Sequence, residues 1–111
     1  MATNENKVLE RLFAVIDSRR GADPKASYTA SLLAAGKEDC ARKVGEEAIE
    51  TMVAALQGNR DDVIHESADL LYHLLVLWAC VRITPEEVWA ELARREGTSG
   101  IAEKESRGGP E

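Results

Sequence analysis

A chain of 111 residues has room for one domain and one modest hydrophobic core. It is 44% apolar and 31% charged, and its few aromatics (5%) beside abundant Ala, Leu and Glu favour helices over strands. A net charge of −6 argues against nucleic-acid binding, which needs a basic footprint, but not against a phosphorylated ligand, because Mg²⁺ can bring the positive charge that the protein lacks.

Residues 5–19 read as the first helix, with Val8, Leu9, Leu12, Phe13, Val15 and Ile16 on one broad apolar face. Arg19-Arg20-Gly21-Ala22-Asp23-Pro24 breaks it, since Pro24 disfavours a helical Asp23. Ser27-Tyr28-Thr29-Ala30-Ser31-Leu32-Leu33 then predicts a short helix or turn ending near Gly36. Its hydroxyls and N–H groups suit an anion; an N-cap with a buried Tyr explains the same residues.

A long helix is expected over residues 38–57, stopped by Gly58-Asn59. Gly45 inside it costs up to ~1 kcal/mol relative to Ala, so it marks either close helix packing or room for a ligand. Asp61 and Asp62 begin the next helix, which runs to about Val81. Thr84-Pro85-Glu86-Glu87 opens the last one, with Thr84 as N-cap, Pro85 at the first position and Glu87 closing a capping box. Residues 1–95 thus form a single domain, and the Gly, Ser, Glu and Lys of residues 96–111 predict a flexible tail.

The fold class is all-α, with four to five helices. Leu70, Leu71, Leu74, Leu75, Leu77 and Trp78 cover most of one helix, more than a small domain can bury on all sides, so a bundle completed by homodimerisation is expected. The apolar run 70–81 is shorter than the ~20 residues of a membrane span, and the polar start of the chain is no secretory signal. Cys40 and Cys80 sit in apolar helical contexts, as reduced core cysteines would. A cytoplasmic protein without a membrane or nucleic-acid partner is expected.

Two carboxylate pairs stand out. Glu47 and Glu50 lie three residues apart on one long helix, Glu66 and Asp69 three apart on the next. A helical wheel puts Val44, Ala48, Met52 and Ala55 on a core-facing seam bordered by Lys43, Glu47 and Glu50. It puts Val63, Leu70, Leu74 and Leu77 on a second seam bordered by Glu66, Asp69 and His73. The short Gly58-Asn59 link makes the helices antiparallel, so the acidic strips can face each other. Four converging acids repel unless a cation is present, and their all-oxygen donors suit one or two hard cations holding a polyphosphate; exposed, salt-bridged acids on two helix faces explain the same residues. A di-iron centre would want Glu-x-x-His on two helices, whereas the nearest spacing is a single Asp62-x-x-His65. Lys43 either neutralises an acid or touches a phosphate. His73 is either a satisfied core or interface histidine or a donor to Asp69 or a substrate. No Ser or Cys has a partnered base, so nucleophilic catalysis by the protein has no support.

Glu46-Glu47-x-x-Glu50 followed after fifteen residues by Glu66-x-x-Asp69 resembles the all-α NTP pyrophosphatase (MazG-like) superfamily. The runs Ser27-Tyr28-Thr29, Lys43-Val44-Gly45-Glu46-Glu47-Ala48 and Ala68-Asp69-Leu70-Leu71-Tyr72-His73-Leu74 narrow this to a resemblance to the phosphoribosyl-ATP pyrophosphatase family. It covers residues 8–95, and Ser99-Gly100-Ile101 and Glu103-Lys104 in the tail are also similar. The resemblance implies a Mg²⁺-dependent homodimer that hydrolyses phosphoribosyl-ATP to phosphoribosyl-AMP and pyrophosphate, the second step of histidine biosynthesis. It implies Glu47, Glu50, Glu66 and Asp69 as metal ligands, with Glu46 as a further acid. Glu46 or Glu47 would take a proton from metal-held water, and Lys43 would stabilise charge on the phosphates. Ser27, Tyr28, Thr29, Lys43 and His73 would contact substrate. Some relatives are fused to the cyclohydrolase of the next step, for which this length leaves no space, so a stand-alone enzyme is expected. A house-cleaning (d)NTP pyrophosphohydrolase would share the four acids without a reason for Ser27-Tyr28-Thr29. A non-catalytic helical dimerisation module would need neither metal nor acids.

Overall fold

The structure is a computed structural model, and it describes residues 7–97 and 100–107. Helix α1 spans Val8–Ser18 and buries Ile16, with Leu9, Leu12 and Phe13 packed beside it. Helix α2 spans Tyr28–Ala35 and starts where Ser27 Oγ accepts the Ala30 N–H at 3.1 Å. Gly36, at φ +102°, ends α2 and leads directly into α3, Lys37–Leu56. No strand occurs among the described residues, in agreement with the all-α expectation.

Helices α3 and α4 (Arg60–Cys80) form the dominant pairing, and α1 and α2 pack against α4. Their core joins Ile16, Leu32, Cys40, Leu75, Val76 and Ala79. Cys40 and Cys80 are free thiols, and burial, reinforced by Cys80, pushes the Cys40 thiol up to about 11. At the far end, Arg20 donates to the Ala79 carbonyl at 2.8 Å, tying the end of α1 to the last turn of α4. By length and composition α4 could cross a membrane. Within the chain it packs against α1, α2 and α3.

The α3–α4 link is tighter than a simple helix stop. The Gly58 N–H reaches the Ala55 carbonyl at 3.1 Å and the Asn59 N–H reaches Ala54 at 3.2 Å, the paired bonds of a Schellman ending with Gly58 at φ +75°. Asn59 then caps α4 by accepting the Asp62 N–H at 3.1 Å. The end of α4 repeats the pattern: Arg82 N–H to Ala79 at 3.3 Å and Ile83 N–H to Trp78 at 2.9 Å. Here the left-handed position, φ +68°, belongs to Arg82 rather than glycine. A side chain there is strained by about 1 kcal/mol. Arg82→Gly is therefore expected to raise the thermal midpoint by a few degrees, as calorimetry would measure; an unchanged or lower midpoint would mean that the arginine side chain offsets its own backbone strain.

Helix α5, Pro85–Arg95, begins with the full capping box expected from Thr84 and Glu87. Trp89 on α5 donates to Glu10 on α1 at 2.7 Å and meets Trp78 edge-on. A sixth helix, α6 (Gly100–Ser106), lies within the segment whose composition predicted only a flexible tail; residues 98, 99 and 108–111 of that tail lie outside the described residues.

One expectation about packing is corrected. The seam Val44, Ala48, Met52 and Ala55 does not face the core: Ala48, Met52 and Ala55 are exposed and Val44 is half-buried. Cys40, Glu47 and Ala54 are buried instead. The face of α3 turned to its own chain passes through Glu47, and the more apolar face looks outward. On α4 too, Leu75, Val76 and Ala79 are buried while Leu70, Leu74 and Leu77 are only half so. Gly45 meets nothing within 4 Å of an added Cβ, so among the described residues no helix packs closely on it.

Candidate metal and substrate site

The antiparallel pairing of α3 and α4 brings the two acidic strips together. Carboxylate oxygens of Glu47, Glu50 and Glu66 lie within 4.8 Å of one another. A second set, His65, Glu66 and Asp69, meets the same limit, so Glu66 is common to both. Glu47 is 6% exposed and Glu50 is open to solvent. A groove of about 250 Å³ beside them is lined by Ile49, Glu50, Val53, Ala54, Gln57, Asp62 and Glu66.

The electrostatics of this arrangement are unfavourable without a cation. Burial first, then the neighbouring Glu50 and Asp69 carboxyls, push the Glu66 carboxyl above its usual range. One Glu66 oxygen, Oε1, is buried without a hydrogen-bond partner. A buried carboxylate oxygen without a donor, facing further carboxylates, fits a hard cation that takes oxygen ligands. Two overlapping sets could hold one: Glu47, Glu50 and Glu66, or Glu66 and Asp69 with the His65 ring, which lies 3.4 Å from Asp69.

Glu46 stands apart from both acidic sets. It accepts from Arg42 at 2.6 Å and from Lys43 at 3.3 Å, and these two cations hold its carboxyl below the usual range. Lys43 also lies 3.7 Å from Glu47, and its bond to Glu46 above all holds the ammonium charged. In this structure Lys43 is a counter-ion to two acids at the rim of the cluster.

Ser27, Tyr28, Thr29 and His73 gather one turn further along. The Ser27 hydroxyl is occupied in capping α2. Thr29 Oγ1 is 2.5 Å from the Tyr72 hydroxyl, and Tyr28 Oη is 3.3 Å from His73 Nε2. His73 is 7% exposed, while Tyr28, which an N-cap reading would bury, is 56% exposed. Sequence reasoning passed over His65 and Tyr72. The first was legible as a ring one turn before Asp69, on the same face; the second only as a neighbour of His73.

A helical hairpin that gathers carboxylates from both arms defines the class: an all-α protein with an acidic cluster shared by two helices. Comparison with known sequences is more specific. The family model described as phosphoribosyl-ATP pyrophosphohydrolase matches residues 9–96. A phosphoribosyl-ATP pyrophosphatase of Paramagnetospirillum magneticum is 60% identical over 93% of this chain and 94% of its own length. Proteins of the same name from Azospirillum brasilense (56% identical, 90% of each chain) and Gluconobacter oxydans (55%, covering 90% of this chain and 75% of the relative) are similar. The chain belongs to the phosphoribosyl-ATP pyrophosphohydrolase family.

Proposed function

We propose that this chain hydrolyses phosphoribosyl-ATP between its α- and β-phosphates, releasing phosphoribosyl-AMP and pyrophosphate as the second step of histidine biosynthesis. Family membership supports the substrate. The observation that carries the chemistry is the carboxylate set shared by α3 and α4, with its unpartnered Glu66 oxygen.

Glu47, Glu50, Glu66 and Asp69 would hold Mg²⁺. When bound, Mg²⁺ neutralises polyphosphate charge and makes water a better nucleophile near neutral pH. Glu47 is the proton acceptor in this reading: it is the buried member of its acidic set, whereas Arg42 and Lys43 make Glu46 a weaker base. Lys43, paired with Glu46 and Glu47 here, would exchange a carboxylate for a phosphate oxygen as substrate enters, keeping its charge. Tyr28 and its neighbours, one turn beyond Asp69 on the other side of the acids from the groove, would contact the rest of the substrate. The active species is a cytoplasmic homodimer, supported by the outward apolar face of α3.

Pyrophosphate release from phosphoribosyl-ATP is expected in Mg²⁺ and not in EDTA. It should persist with dNTPs present in equal amount. Absence of release, or preferential hydrolysis of the dNTPs, would sink the assignment.

A further inference from the structure

Consecutive residues at the start of α2 meet consecutive residues on α4. Tyr28 reaches His73, and Thr29 reaches Tyr72. The rings close around these bonds: Tyr28 stacks on Tyr72 at 6.4 Å between centroids, and His73 stands edge-on to Tyr72 at 4.9 Å. The other nitrogen of His73, Nδ1, is 3.0 Å from the backbone carbonyl of Asp69.

A carbonyl can only accept, so Nδ1 carries the hydrogen in that bond. In the neutral ring Nε2 is then an acceptor, and the Tyr28 hydroxyl must be the donor. Two consequences follow. His73 has no ring nitrogen left for a substrate, and its burial leaves no surface for one. Tyr28 has spent its only proton on His73, so its hydroxyl has nothing to donate to a phosphate oxygen.

What Tyr28 still offers is its ring. One face lies toward Tyr72 and more than half of the residue is open. Its partner His73 lies one turn beyond Asp69 on α4 and bonds to the Asp69 backbone, which puts the Tyr28 ring beside the acidic cluster. A flat, apolar, rigidly held face beside a cluster that suits metal-bound phosphates fits the purine attached to them. We infer that Tyr28 stacks its ring on the purine of the substrate, and that His73 is a positioning residue that fixes this ring rather than a substrate contact. This rests on the proposed reaction and assigns the base to the His73 side of the acidic cluster, opposite the groove at Asp62.

The test compares Tyr28→Ala, Tyr28→Phe, His73→Phe and the double Tyr28→Phe/His73→Phe variant in steady-state pyrophosphate release. Tyr28→Ala is expected to raise KM about tenfold or more, with kcat little changed. Tyr28→Phe keeps the ring and loses only its anchor, so KM should rise about two- to fivefold. His73→Phe should match it, and the double variant should be no worse than either single one. Tyr28→Phe as damaging as Tyr28→Ala would overturn the stacking role in favour of the hydroxyl. A fall in kcat for His73→Phe, or multiplicative effects in the double variant, would overturn the positioning role. Imidazole ¹⁵N shifts of the native chain without substrate supply a readout independent of activity and of the folding of the His73 variant. A protonated Nδ1, with an Nε2 shift that moves in Tyr28→Phe, is expected; a bare Nδ1 would count against the positioning role alone. Failure of the native chain to release pyrophosphate would count against the proposed reaction alone.

Discussion

Replacing Glu66 by Gln is expected to lower Mg²⁺-dependent pyrophosphate release by roughly 10²–10³-fold, while making the metal-free chain more stable. The two effects share one cause. Glu66 belongs to both acidic sets and owns the unpartnered buried oxygen, so its charge is the one most needed by a cation and least tolerated without one. Its carboxyl is pushed above the usual value of 4.5 in the folded chain, by burial and then by Glu50 and Asp69. The folded state therefore holds this proton more tightly than the unfolded state does. The resulting stability is fully present below the unfolded value and is lost as pH rises through the raised folded one. At pH 7 the native chain in EDTA has lost it; a Gln side chain, neutral at every pH, never does. In thermal melts with EDTA, Glu66→Gln should melt above the native chain at pH 7, and the gap should narrow toward pH 4. Adding Mg²⁺ should reverse the order, because the native chain gains binding energy and the variant loses a ligand. If Mg²⁺ stabilises both chains alike, Glu66 is not part of a metal site.

The acidic site was legible because its signal is local. Spacing of three residues puts Glu47 with Glu50, and Glu66 with Asp69, on one side of each helix whatever the tertiary context, and the short link through Gly58 and Asn59 forces the two helices side by side. The helix starts were legible for the same reason, since Thr84 and Glu87 satisfy each other within one turn. The choice of core face was not. Helix α3 has two surfaces that a 3.6-residue period can describe as internal, and sequence favours the more apolar one. The chain buries the other, through Cys40, Glu47 and Ala54. A wheel diagram cannot tell the surface that meets the same chain from one that meets another molecule, and it gives Glu47 no credit for Lys43 alongside. Nor does Ser-Tyr-Thr betray which hydroxyl will be free. Ser27 is taken by the local helix cap, but Thr29 is taken by Tyr72 and Tyr28 by His73, and these last two pairings join residues more than forty apart in sequence. The helix α6 escaped notice because Gly, Ser and Lys dilute any periodic signal.

The outward face of α3 leads to the second large effect. Ile49, Met52, Val53 and Leu56 follow the i, i+3, i+4, i+7 pattern of a helix seam, yet they are 59, 53, 42 and 79% exposed. Ile64 on α4 continues the patch at 60%. A stripe of this kind left in water is unfavourable by roughly 25 cal/mol for each Å² of apolar surface that a partner could cover. A second copy of the chain seated on it satisfies the seam and leaves the buried core of each protomer undisturbed. Ile49 and Val53 also line the acidic groove, so a partner on the stripe would wall the site on its apolar side. The native chain is therefore expected to sediment at twice its 12.1 kDa mass. Met52→Glu combined with Leu56→Glu should convert it to monomer, because two carboxylates would have to be buried in the seam without partners. The variant's melting point should no longer depend on concentration, as the native dimer's should. Its pyrophosphate release should fall although all four carboxylate residues of the site are untouched. A native chain that sediments as a monomer at micromolar concentration would refute the shared seam. A monomeric variant with full activity would show that the groove is complete within one chain.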